Sequence, residues 1–362
     1  MGTLVETQVS GQAAAGAAPR KVRAAVAGAT GYAGGELLTL LARHPFASVA
    51  GLLSSGRDGK KGFPIEQVHP RLRGRFPVLV EPLNVEQVGA SGCDVIFLAT
   101  PHETSHQVVP ALLARGLRIV DLSGAFRIKN AGEFARWYGF EHHAAEALAE
   151  AVYGIPEFAA PAIARARLVS NPGCYATSII LALAPLVEAG WVDVSAGVIA
   201  DAKSGASGAG RAPTEKLHFS EVNENLRAYG VFNHRHVPEM LQALKLEEKD
   251  FVFTPHLLPI TRGILSTIYV RLAARRSAGE LEELLRGFYA GAPLVRVYPA
   301  GKLPEIQAVA HTAYADVGFA LDASGRRLIL VSALDNLGKG AAAQAVQNMN
   351  VMFGFPQETG LL

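Results

Sequence analysis

"KVRAAVAGATGYAGGELLTLLARHP", residues 21–45, reads as strand, glycine turn and helix in succession. Val22, Ala24 and Val26 alternate as they would along a strand. Leu37, Leu38, Leu40 and Leu41 line a helix that must stop before Pro45. Between the two, "GATGYAG" sets Gly28, Gly31 and Gly34 at G-x-x-G-x-x-G spacing. Glycines there let the backbone turn tightly and approach a pyrophosphate, and the helix start offers free N–H groups. The triplet alone is a weak signal; its place at the first strand–helix junction gives it weight.

The pattern repeats outward. "FASVAGLLSS" (46–55) reads as a second strand, and "CDVIFLAT" (93–100) and "LRIVDLSG" (117–124) as strands buried on both faces, with "SHQVVPALLARG" (105–116) a helix between them. Alternating strands and helices predict an α/β, doubly wound parallel sheet. After about residue 175 the texture changes. "WVDVSAGVIADAKSG", "DFVFTPHLLP" and "ILSTIYVRLAA" read as longer alternating strands. They predict an α+β second domain on a mostly antiparallel sheet. The C-terminal "NLGKGAAAQAVQNMNVMFG" reads as a helix that packs back on the first domain.

Bulk properties narrow the class. The chain has 362 residues, 49% apolar and 18% charged, with net charge +2. That composition suits a globular two-domain protein and gives no reason to expect nucleic acid or membrane as partner. Only Cys93 and Cys174 occur, so a disulfide framework is not expected and a reducing, cytoplasmic setting fits. Residues 1–20 lack a basic start followed by an apolar core, and read as a flexible tail rather than a signal.

The second strand hints at which dinucleotide binds. Its end, "LLSSGRDGKKG", offers Ser54, Ser55 and Arg57, with Lys60 and Lys61 beyond and Asp58 the only acid. Hydroxyls and cations suit a 2′-phosphate, so the reading is NADP(H).

"SNPGCYATS", residues 170–178, holds the candidate nucleophile. Asn171 or Ser170 could cap a helix with Pro172 at its first position. Cys174 would sit in the first turn, where the helix dipole lowers a thiol pKa. Gly173 would let a substrate approach, and Pro185 would kink or interrupt the helix. Read alone, Cys174 could equally be a buried structural thiol; Cys93, with no cap beside it, reads as structural. A nucleophilic thiol wants an acid–base partner. "HRHVPE" supplies His236, with Glu239 three residues on to orient it; His234 is the rival. No Cys or Asp completes a metal site around this His-x-His pair, so no metal is expected. His102, in "TPHETSH", could touch cofactor or substrate, or serve as a surface or capping residue.

These stretches, with "VDLSGAFR", "YGIPE", "SGASGAGR", "LLPITRGILST" and "DNLGKGAAAQAVQNMN", occur in one order from about residue 21 to the C-terminus. In that order they resemble the N-acetyl-gamma-glutamyl-phosphate reductase family. The resemblance implies a Rossmann-type NADP-binding domain (21–173, completed by 333–362). It also implies a catalytic and oligomerisation domain (174–332) similar to that of glyceraldehyde-3-phosphate dehydrogenase. It casts Cys174 as the thioester-forming nucleophile, His236 as general acid/base and Glu239 as its support. The turn residues Gly28, Thr30, Gly31, Tyr32 and Gly34 would hold cofactor. Ser204, Gly205, Asn336 and Lys339 would line the nicotinamide or phosphate region. Arg127, Arg211 and Arg262 are the candidates for the anionic groups of the substrate, of which at least one is expected to bind, though each alone reads equally as a structural ion pair. The implied partners are a small acyl-phosphate substrate, inorganic phosphate and further copies of the chain in a dimer or tetramer.

Three rivals share parts of this reading. Aspartate-semialdehyde dehydrogenase does the same chemistry on a shorter acyl phosphate. The lysine-pathway paralogue acts on an aminoadipyl phosphate longer by one methylene, a difference worth only roughly 1–3 kcal/mol to a pocket. A dinucleotide-sensing regulator would have lost Cys174 or His236, and both are present.

Overall fold

The computed structural model describes residues 20–54 and 61–362. The expected tail, apart from Arg20, lies outside the described residues, and so do Ser55 and Arg57.

The first sheet is built from Val22–Ala27 (β1), Ala47–Ser54 (β2), Phe63–Pro64 (β3), Leu79–Pro82 (β4), Val95–Leu98 (β5), Arg118–Asp121 (β6), Val152–Tyr153 (β7) and Leu168–Ser170 (β8). Their order across the sheet is β3-β4-β2-β1-β5-β6-β8-β7, parallel except for β3 against β4. The order reverses between β1 and β5, and a crevice at such a switch point is where open α/β sheets bind ligands. β5 is fully buried, as its unbroken apolar run requires.

The second sheet comprises Val198–Gly205 (β9), Arg227–Ala228 (β10), Phe251–Leu258 (β11), Ile264–Arg271 (β12), Val295–Val297 (β13), Ala315–Leu321 (β14) and Arg327–Leu334 (β15). Its order is β10-β11-β9-β12-β15-β14-β13. β9 pairs with β11, and β13 with β14, in parallel; the remaining pairings are antiparallel, so the sheet is mixed. The inward positions of β12, Ile264, Ser266, Ile268 and Val270, are buried.

The helix Cys174–Glu188 packs on that inner face, with Ile179, Leu183 and Leu186 fully buried. Each such side chain contributes about 1.5–3 kcal/mol of burial. Of the kink or interruption expected at Pro185, the interruption does not occur: the helix runs through it. A proline orphans the carbonyl four residues earlier, here that of Leu181, and the Tyr289 hydroxyl donates to it. The C-terminal helix, Ala343–Met352, joins the core of the first sheet through Ala345, Val346 and Met349. Among the described residues no helix is long and apolar enough to cross a membrane.

Candidate active site

The glycine turn lies at the switch point. Gly28 has φ +79°, and a Cβ there would meet the Ala99 carbonyl oxygen after β5 at 2.1 Å. A Cβ on Gly34 would meet the Gly28 oxygen at 2.2 Å. Both positions therefore require glycine, whereas Gly31 caps the helix Tyr32–Leu41 with space before it. A dinucleotide pyrophosphate fits this cradle: its backbone is bare and the helix N-terminus follows directly. Ser54 is buried at the end of β2. A cleft of about 630 Å³ beside the turn is lined by Tyr32, Ser207, Arg211, Phe219, Ile260 and Leu337.

Cys174 opens its helix, but Gly173 is the cap residue, and no side chain caps it. Asn171 is engaged elsewhere: its amide donates to the Ala341 carbonyl and its oxygen accepts from Asn348. Pro172 lies outside the helix. Gly173 makes room for a protein group rather than for substrate, because a Cβ on it would meet His236 Nε2 at 2.3 Å. From the other side a Cβ on Gly340, in the wide π-helical turn Gly338–Ala342, would meet the Cys174 Cβ at 2.7 Å.

The helix dipole does not win at this cysteine. Burial pushes the thiol up to about 11, although the Tyr175 N–H and Arg127 pull the other way. Burial also pulls His236 well below the usual imidazole range, helped by Arg127 and Arg235. Both shifts favour the uncharged forms, thiol and imidazole, over an ion pair. His234 is the less suitable base. Its Nδ1 accepts the His236 backbone N–H at 3.1 Å, and its ring is walled in by Tyr175, Tyr229 and Phe253.

Glu239 is fully buried on the helix Val237–Leu244. It stands 3.8 Å from His236 Nε2, beyond hydrogen-bond length. Its hydrogen bonds go to the Gly173 N–H at 3.0 Å, the Tyr153 hydroxyl at 2.7 Å and Arg127 Nη1 at 3.1 Å. It fixes the start of the cysteine helix against the histidine helix and supplies charge beside the imidazole.

Ser204, Gly205 and Asn336 come together. Asn336 accepts from the Gly263 N–H at 2.8 Å and donates to Ser207 at 2.9 Å, while Gly205 leaves room for the Thr261–Arg262 backbone. Lys339 is not among them. It is fully buried and ion-paired to the equally buried Glu157 at 2.7 Å, between the C-terminal and Pro156–Arg165 helices.

Of the three candidate substrate arginines, two are held in buried ion pairs. Arg127 donates to Glu239 and to the carbonyls of Asn171 and Leu122. Arg262 bridges Glu36 at 3.2 Å and Asp335 at 3.0 Å. Arg211 donates to the carbonyls of Thr30 and Val68 beside the glycine turn. The sequence reading passed over Tyr153, in "YGIPE", and Arg235, between the two histidines; both stood in stretches already singled out. His102 starts the helix His102–Ala114 and stacks on Phe140, with Arg235 Nη1 3.2 Å away.

Residues 23–166 match the semialdehyde dehydrogenase NAD binding domain, and residues 174–336 the semialdehyde dehydrogenase dimerisation domain. The chain is similar to N-acetyl-gamma-glutamyl-phosphate reductase of Symbiobacterium thermophilum, 47% identical over 94% of this chain and 97% of that one. It is likewise 46% identical to the enzyme of that name from Pelotomaculum thermopropionicum, over 94% and 97% of the two chains. In fold it is similar to aspartate semialdehyde dehydrogenase with NADP from Candida albicans. That match has a TM-score of 0.69 and 16% identity, over 92% of this chain and 98% of that one. Identity across nearly the whole length places the protein: the chain belongs to the N-acetyl-gamma-glutamyl-phosphate reductase family.

Proposed function

We propose that this protein reduces N-acetyl-glutamyl 5-phosphate to N-acetyl-glutamate 5-semialdehyde with NADPH, releasing phosphate, in arginine biosynthesis. The observation that carries the reading is the seating of the His236 imidazole against Gly173, directly before Cys174.

The neutral pair sets the order of proton movements. As the Cys174 sulfur attacks the acyl carbon, its proton passes to His236. The carbon–oxygen bond to phosphate breaks, and phosphate leaves with the electron pair. NADPH bound at the glycine turn would supply the hydride that takes the thioester to the aldehyde level. When the carbon–sulfur bond then breaks, the aldehyde departs and the imidazolium proton returns to the cysteine sulfur. Donors at the start of the cysteine helix favour the transient negative charge. The preference for NADP rests on Ser54, Ser55 and Arg57 in the sequence.

A homo-oligomer in the cytoplasm completes the reading. The outer face of the second sheet, with Ile199, Tyr269 and Ile329 exposed, supports self-association.

The test is the reverse reaction, phosphate-dependent reduction of NADP⁺ by N-acetyl-glutamate 5-semialdehyde, with wild type and Cys174→Ser. Activity should be strong and lost in the variant. Preference for the aminoadipate or aspartate semialdehyde would redirect the substrate. Activity surviving in Cys174→Ser would remove the thioester.

A further inference from the structure

The substrate carries an α-carboxylate as well as its reacting end, and two of the three candidate arginines are ion-paired within the protein. Arg127 has an acceptor on each nitrogen, and Arg262 is neutralised by two carboxylates. Arg211 has no carboxylate partner either, but its Nη1 donates to the carbonyls of Thr30 and Val68, which places it at the cofactor end of the cleft. One guanidinium remains beside the histidine.

We infer that Arg235 anchors the α-carboxylate of the substrate, with His102 holding the guanidinium in place from the other domain. The inference rests on the reductase reading above. Arg235 directly precedes His236, and its side chain is exposed where that of His236 is not. Its hydrogen-bond partner is an imidazole, His102, which the Glu103 carboxylate faces at 3.2 Å, and among the described residues no carboxylate ion-pairs with Arg235 itself. Tyr138 lies beneath the guanidinium, 5.7 Å from ring centroid to Cζ, and steadies its plane. A planar fork pre-set in this way binds a carboxylate through two parallel N–H bonds. The same geometry spans the two domains, from the start of the His102 helix to the histidine helix. An anion bound here would hold the substrate's far end while Cys174 and His236 meet its carbonyl.

The test compares two aldehydes in the reverse assay: N-acetyl-glutamate 5-semialdehyde and 4-acetamidobutanal, the same aldehyde without the carboxylate. Arg235→Gln should raise KM for the carboxylate-bearing aldehyde about 10- to 100-fold, the worth of a charged hydrogen-bonded pair. The KM values for NADP⁺ and phosphate should not move, and the preference for the carboxylate-bearing aldehyde should shrink by the same factor. Arg235→Lys should recover part of it. An equal loss on both aldehydes, or a rise in phosphate KM instead, would overturn the assignment. An active wild type whose Arg235→Gln variant is unaffected would overturn it alone. A wild type inert towards the glutamate semialdehyde would overturn the reductase reading and this inference with it.

Discussion

The His236 imidazole occupies the space that a side chain on Gly173 would need, its Nε2 2.3 Å from where that Cβ would stand. Gly173 itself has φ −70° and ψ 150°, a conformation any residue adopts. The glycine is required by the histidine, not by the backbone. Gly173→Ala should therefore fold but displace the imidazole. A fall in kcat of at least about 100-fold is expected, in keeping with the loss of acid–base catalysis, with KM for NADP⁺ unchanged. Steady-state kinetics beside a thermal melt check it; an active Gly173→Ala enzyme would show that the imidazole is not needed there.

Cys174 should alkylate as an ordinary or suppressed thiol. With burial pushing it up to about 11, its rate with iodoacetamide should keep rising with pH through pH 9. An ion pair with His236 would instead give a fast plateau near neutral pH. Rate against pH in the free enzyme separates the two.

Glu239→Gln tests the buried anchor. The Gly173 N–H, the Tyr153 hydroxyl and Arg127 all donate to this carboxylate, and a carboxamide offers one acceptor oxygen and an unwanted donor. Arg127 would keep its two carbonyl acceptors but lose its buried carboxylate counter-charge, at a cost of about 3–5 kcal/mol. Tyr153→Phe removes one hydrogen bond and should cost about 1–2 kcal/mol. Urea unfolding of the two variants should rank them in that order; equal stabilities would show that Glu239 is not the anchor.

Lys339→Met should lower stability by about 3–5 kcal/mol, because it strands the buried Glu157 carboxylate. Adding Glu157→Gln should restore part of the loss. KM for NADP⁺ in the double variant should equal that of wild type. A selective rise in that KM would return Lys339 to the cofactor site.

Acid should destabilise the fold partly through His142. Burial, then His106 and His143, pull its imidazole down to about 4, while the Ala125 carbonyl resists. Its ring meets His106 at 4.6 Å, Phe134 at 4.9 Å and Phe126 at 5.2 Å between centroids. In the unfolded chain a histidine titrates near about 6.5. Between that pH and about 4 the unfolded state binds a proton that the folded state refuses. The stability from this group is present above the upper value and is lost as pH falls through the window. His142→Gln should lose less stability between pH 7.5 and pH 5 than wild type; parallel curves would exclude this histidine.

The architecture was legible in the chain because it rests on local rules. The Gly28–Gly34 turn, the apolar run of β5 and the strand alternation on either side each follow from a few adjacent residues, and so does the choice of Cys174 and His236 as types able to do this chemistry. What the local rules could not decide was competition between distant groups. A cysteine at a helix start reads as acidic until packing removes its water, and burial then outweighs the dipole. Pro185 reads as a break until the Tyr289 hydroxyl, more than a hundred residues on, takes up the freed carbonyl. Arg127 and Arg262 read equally as substrate anchors or structural ion pairs, and Lys339 as a cofactor-site cation, until the fold brings Glu239, Glu36, Asp335 and Glu157 against them. A motif specifies which groups are present; which are free to meet a ligand is set by partners that only the folded chain brings within hydrogen-bond reach.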